Sequence, residues 1–168
     1  MVESEAEQAQ RRPLADAGAH DLALRAWSLL RRRTPADIAA ARSLLQQAVE
    51  RDPRSAFAWS LLAETYSADV GARTPNPGEA GATREEWLKL GEEAGDRAYA
   101  LEPNRLTVLA ARGFILASQG RGEEALAMME RHLAVNRNDA AARFRLCYTL
   151  ATLGRQGMRS THATKRSG

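Results

Sequence analysis

Five residues near the end of this chain return at one fixed interval. Leu116, Ala117, Ser118, Gly120 and Arg121 are followed 34 residues later by Leu150, Ala151, Thr152, Gly154 and Arg155. Such an interval restricts the fold more than composition does. It calls for one small unit that cannot bury its apolar side alone and therefore stacks on copies of itself. The unit is legible in "LTVLAARGFILASQGRGEEALAMMERHLAV", where apolar residues recur at helical spacing, stop at Gly120 and resume at Ala125. Two helices joined by a short turn fit that pattern.

The same unit is found upstream. "DLALRAWSLL" places Leu22, Ala26, Leu29 and Leu30 at helical spacing. Thr34 then offers an N-cap, Pro35 a first helical residue and Asp37 a first-turn carboxylate. Ala41, Leu44, Leu45, Ala48 and Val49 share a face before Pro53 ends the helix. Next come Trp59, Leu62, Ala63 and Tyr66, then the interrupting "DVGARTPNPGEAGA". Thr83 with Glu86 reads as a capping box opening a helix that ends before Pro103. Gly91 and Gly95 inside it each weaken helix propensity by about 1 kcal/mol relative to Ala. The box restores about 1 kcal/mol and burial of Trp87 about 3, so this helix should form as the least tightly packed one. A fourth unit starts at "AAARFRLCYTLATLG" and lacks a partner helix, because "QGMRSTHATKRSG" has no apolar face.

The expected class is all-α. Ala, Leu, Arg and Glu dominate, aromatics are only 5%, and no stretch alternates as a strand would. The expected organisation is a flexible leader over 1–19 and a repeat domain over 20–155. Its units span 20–54, 55–104 with the insertion, 105–138 and a half unit at 139–154, followed by a disordered basic tail over 156–168.

Few chemistries are left open. The net charge of +3 comes mostly from Arg, but acidic residues are interspersed through the helices, so a solvated mixed surface is expected rather than a nucleic-acid stripe. No apolar run approaches the ~20 residues of a membrane span, and "MVESEAEQAQRR" is no signal peptide. The single Cys147 makes no internal disulfide. A cytoplasmic address is the expectation. His20, His132 and His162 lack a second ligand at helical spacing, so no metal is expected. The Gly-rich stretches follow no strand and precede no Gly-Lys-Ser/Thr, which excludes a phosphate loop. Glu85-Glu86 and Glu123-Glu124 stand in helix first turns, where they answer the dipole. His132 is expected as an ordinary helix residue, Met128 and Met129 as core, and Cys147 as a buried inert thiol. No catalytic residue, cofactor or enzyme activity is expected.

On these residues, the stretch from Asp21 to Arg155 resembles tetratricopeptide repeats, helix pairs with small residues where helices touch and Pro at the end. Trp59, Leu62, Ala63, Tyr66, Ala98 and Pro103 match one repeat; Gly113, Leu116, Gly120, Ala125 and Met129 match the next. The resemblance implies a right-handed superhelix, an α-solenoid of about three and a half helical hairpins, acting as a non-enzymatic protein–protein interaction scaffold. Its groove-facing positions fall on Phe57, Ser60, Glu64, Phe114, Ser118, Phe144 and Tyr148. Phe114 and Tyr148 either anchor a partner or are covered by helices, leader or tail. The groove lacks the Lys/Asn/Arg set that holds a terminal carboxylate in some such repeats, so an extended or helical apolar protein segment is the implied partner. A narrower likeness rests on "LRRRTPADIAAARSLLQQAVERDPRSAFAWSLLAETY", the insertion and "AYALEPN". These are similar to repeats carried by some bacterial class III adenylate/guanylate cyclases and by winged-helix transcriptional regulators. That likeness implies the alternative of a detached or truncated regulatory or dimerisation region, self-associating through Leu146, Leu150 and Leu153 of the last helix.

Overall fold

Three turns with the same hydrogen bond divide the chain. The amide of Ser55 donates to the carbonyl of Asp52, that of Arg105 to Glu102 and that of Asp139 to Asn136, at 3.2, 3.2 and 3.3 Å. The third forms although Arg137 stands where the first two turns carry Pro53 and Pro103. The computed structural model describes residues 18–71 and 83–139, and beyond them 143, 146, 147 and 150. Helices are α1 Ala19–Leu30, α2 Pro35–Arg51, α3 Ala56–Gly71, α4 Arg84–Leu101, α5 Leu106–Ser118 and α6 Gly122–Val135. The described residues contain no strand, as the composition implies. Residues 1–17, most of the Gly/Pro stretch, Phe144, Tyr148, Leu153 and the tail over 156–168 lie outside the described residues.

The helix starts follow from local chemistry. Thr34 Oγ1 accepts from the Asp37 amide at 3.1 Å, with Pro35 at the first helical position. At α4 the capping box closes in both directions, Glu86 N–H to Thr83 Oγ1 at 3.2 Å and Thr83 N–H to Glu86 Oε2 at 2.6 Å. Arg33, between α1 and α2, adopts a left-handed φ of 55° and turns the chain back.

Each helix packs on its successor, α1 on α2, α3 on α4 and α5 on α6, giving three hairpins. The first helices also touch one another, α1 with α3 and α3 with α5, whereas the second helices have no comparable mutual contact. The stack is therefore closer on the first-helix side, and α1, α3 and α5 line the inside of its curve. The larger core cluster runs from the first hairpin to the third through Leu22, Ala26, Ala41, Leu45, Leu62, Ala63, Ala94 and Ile115, and a smaller one of Ala56, Ala98 and Val108 lies between the second and third. None of these pairs closes a separate core, so burial holds only when neighbours stack.

Arg42 of α2 enters that core and is 1% exposed. Its Nε donates to Thr65 Oγ1 at 3.2 Å and its Nη2 to the Thr65 carbonyl at 3.1 Å. The guanidinium lies over the rings of Trp87, at 4.4 Å, and Tyr66, at 5.2 Å. One side chain thus links α2, α3 and α4.

The glycines of α4 correct an expectation. Gly91 and Gly95 are buried where α4 meets Tyr66 and Ile115, so they mark a close seam rather than a loose helix. A Cβ on Gly91 would stand 3.4 Å from Tyr66 Cβ and 3.6 Å from Ile115, ordinary contact. Gly91→Ala should therefore raise the unfolding free energy by about 0.5–1 kcal/mol through helix propensity, read as a higher denaturant midpoint. A loss would show that the seam has no spare room.

Toward the C-terminal end, Arg131 of α6 ties the second and third hairpins. Its Nη1 donates to Tyr99 Oη at 2.7 Å, and its Nη2 to the Pro103 carbonyl and Asn104 Oδ1 at 3.2 and 2.7 Å. The Arg112 guanidinium also lies over the Tyr99 ring, at 4.7 Å. His132 is buried, its Nε2 2.9 Å from Asp139 Oδ2. Met129 is core, as expected. Cys147 is not: it is exposed, because no described helix packs over it.

Candidate functional site

The inner face is built from equivalent positions on α1, α3 and α5. The His20 and Phe57 rings meet at 6.3 Å, which aligns the starts of α1 and α3. In that alignment the fully buried Ala26 matches the fully buried Ala63. Trp27 then matches Glu64, and through the buried Gly113 both match Phe114. Period 3.6 places His20, Leu24, Trp27 and Arg31 in one stripe along α1, away from its buried Leu22, Ala23 and Ala26.

Each inner helix contributes one large aromatic. Trp27 is 39% exposed, with the Arg31 guanidinium 5.3 Å from its ring centroid. Phe57 is half-buried between the His20 ring and the Arg105 guanidinium, the latter at 5.1 Å. Arg105 is in turn held by Glu102 at 3.0 Å. Phe114 is half-buried on α5, and its carbonyl accepts from the Ser118 hydroxyl at 2.9 Å. Glu64 reaches back to Arg33 at 3.8 Å, a further tie between the first and second hairpins. The Thr107 hydroxyl, at the start of α5, is buried with no described partner.

Of the residues expected from sequence, Phe57, Glu64 and Phe114 fall on this face. Ser60 does not line it: the residue is 1% exposed and its hydroxyl donates to the Phe57 carbonyl at 2.8 Å. Close approach of the inner helices covers such small side chains. Ser118 is half-buried at the end of α5. Phe144 and Tyr148 lie outside the described residues. On the end face Leu146 is half-buried, Leu150 is 48% exposed, and Leu153 lies outside the described residues.

The sequence reading missed Trp27, Arg31, Arg105 and His20. One reason is a misleading match. "AWSLL" occurs at 26–30 and again at 58–62, yet Trp27 stands on the inner face while Trp59 packs against the core, its Nε1 donating to the Pro53 carbonyl at 3.0 Å. The contact between the His20 and Phe57 rings, which pairs Ala26 with Ala63 rather than with the equally buried Ala58, gives the register.

The outer surface is ionic. Arg121 engages Glu124 at 2.7 Å and Glu92 at 3.1 Å, Gln119 donates to Glu92, and Arg112 pairs with Asp96. Hydrogen bonds from Arg121 hold the Glu124 carboxyl below its usual range, and burial lowers the pKa of Arg112. These contacts join α4, α5 and α6. Among the described residues no group of three His, Cys, Asp or Glu side chains could hold a metal ion, and no helix is long and apolar enough to cross a membrane.

No protein-family profile matches the sequence, and no curated protein does. Thirteen chains of solved structures match the fold. One is the NMR structure of the first TPR domain of the human RPAP3 protein. The TM-score is 0.61 at 17% sequence identity, and the match covers 83% of this chain and 94% of that one. The chain thus has the fold of a TPR domain, an all-α solenoid.

Proposed function

We propose that this chain is a non-enzymatic interaction module whose inner face, formed by α1, α3 and α5, holds a segment of another protein. One observation carries the reading. Trp27, Phe57 and Phe114 put an aromatic from each inner helix on a single concave face, each at least partly open to solvent. Aromatic side chains left partly exposed along one face are the usual anchors of a binding surface, Phe57 here resting also on the core. A cytoplasmic address belongs to the same proposal.

The test begins with a displayed library of short peptides selected against the full chain. Binding of the selected peptides should weaken by more than about 1 kcal/mol on Trp27→Ala and on Phe114→Ala, with helix content unchanged. Affinity indifferent to both substitutions rejects the groove.

A second reading concerns the end of the stack, where Val135 is 67% and Leu150 48% exposed. Solenoid ends are normally capped by polar side chains. A second copy, or a following repeat in a larger protein, would cover these two. The likeness to repeats of cyclases and winged-helix regulators makes a regulatory or dimerising region the form this takes. Sedimentation velocity should show association that rises with concentration and is abolished by Leu150→Glu. A strict monomer at the highest attainable concentration rejects it.

A further inference from the structure

The last described residues repeat a packing stripe of α5, but no described helix covers it. Thirty-four residues beyond Leu109, Arg112, Gly113 and Leu116 stand Arg143, Leu146, Cys147 and Leu150, which are helical and share one stripe. On α5, Leu109, Gly113 and Leu116 are buried, and a Cβ on Gly113 would meet Met129, Met128 and Ala125 of α6. Cys147 thereby continues the series Ala26, Ala63 and Gly113, the small residue buried in the first helix of each hairpin. Its own stripe is open: Arg143, Cys147 and Leu150 are exposed. The Arg143 guanidinium turns back to donate to the Arg137 carbonyl, which leaves Cys147 and Leu150 as the surface of the stripe.

We infer that a second copy of the chain covers this stripe, the two last helices crossing antiparallel with one Cys147 beside the other. This rests on the self-association reading above and adds the geometry of the contact. Each hairpin is already an antiparallel helix pair, and a two-fold axis through the crossing point gives two copies of one helix the same sense. A small side chain is needed where such helices approach, and Cys147 supplies it from both sides. The antiparallel sense also sets the two Arg143 residues on opposite sides of the crossing, where a parallel pair would bring them together. The sequence "QGMRSTHATKRSG" offers no apolar stripe to take the second copy's place. Helix axes about 8–10 Å apart, with Cα atoms about 2.3 Å from each axis, leave facing Cα atoms roughly 3.5–5.5 Å apart. That overlaps the separation of about 4.4–6.8 Å that a disulfide spans.

The probe is diamide, added to the reduced full chain under native conditions. Two thiol protons and two electrons pass to the diazene, which becomes the hydrazine as one S–S bond forms between copies. Covalent dimer on a non-reducing gel should appear at least about tenfold faster than for Leu150→Glu at the same concentration, because apposed thiols have a high effective concentration. Cys147→Ser should abolish the cross-link yet keep the concentration-dependent association read by sedimentation. Association without a cross-link in the unaltered chain would overturn the Cys147 crossing and leave self-association standing. A strict monomer would remove both. Cross-linking as fast in Leu150→Glu as in the unaltered chain would mark random collision of exposed thiols and overturn the proposal. So would association that appears only once residues 156–168 are deleted, because the chain's own tail would then be the occupant.

Discussion

Replacing Arg42 with Ala should lower the unfolding free energy by about 3–5 kcal/mol, the range for breaking a buried charged cluster or truncating a large core side chain. The guanidinium donates twice to Thr65 and lies over Trp87 and Tyr66, so its removal takes a second bond from the Thr65 carbonyl and opens a void between two hairpins. Thr65 Oγ1 keeps its own bond, donated to the Leu62 carbonyl at 2.7 Å. Arg42→Met refills most of the volume without a charge, and its loss should be smaller, about 1–2 kcal/mol. Urea unfolding read by circular dichroism separates the two, with the midpoint falling and the slope unchanged. A loss under about 1 kcal/mol for Arg42→Ala would mean that water reaches the cluster and replaces the guanidinium.

Gly113→Leu should cost about 3 kcal/mol, at the upper end of overpacking. Gly113 is buried where α5 crosses α6. A Cβ there would overlap Met129 Cε, stand 3.3 Å from Met128 Cβ and lie 3.4 Å from the Ala125 carbonyl oxygen. The Met129 methyl is the end of a flexible chain and can swing aside. The Met128 Cβ and the Ala125 carbonyl belong to the α6 backbone region and cannot move without parting the helices. Gly113→Ala should therefore be close to neutral, because the gain in helix propensity, about 1 kcal/mol, is spent on that small displacement. Thermal unfolding of the pair checks the contrast: a Leu variant as stable as the Ala variant would show that α5 and α6 separate easily.

Much of the fold is written in periodic residues. Ala41, Leu45, Ala48 and Leu62, Ala63 repeat because one packing problem recurs in each hairpin, and Thr34 and Thr83 announce helix starts through short-range hydrogen bonds. What stayed hidden depends on neighbours distant in sequence. Arg42 reads as one more solvated arginine, since nothing near it in the chain says that Thr65 and Trp87 will surround it. Gly91 reads as a helix weakness until Tyr66 and Ile115 are seen against it. Ser60 carries the right residue type for a groove, but the close approach of the inner helices buries it. Trp27 was obscured by the repeated "AWSLL", in which the identical residues occupy different faces. Cys147 sits at a small-residue position, yet its exposure depends on whether another helix lies over it.

Arg131 bears on the proposed inner face without belonging to it. It clamps Tyr99 and the Pro103–Asn104 turn from the neighbouring hairpin and so braces the angle at which the second and third hairpins meet. If a segment is held as proposed, the curvature it meets is braced beforehand by side chains on the opposite wall of the stack, and less ordering is left to be done on binding.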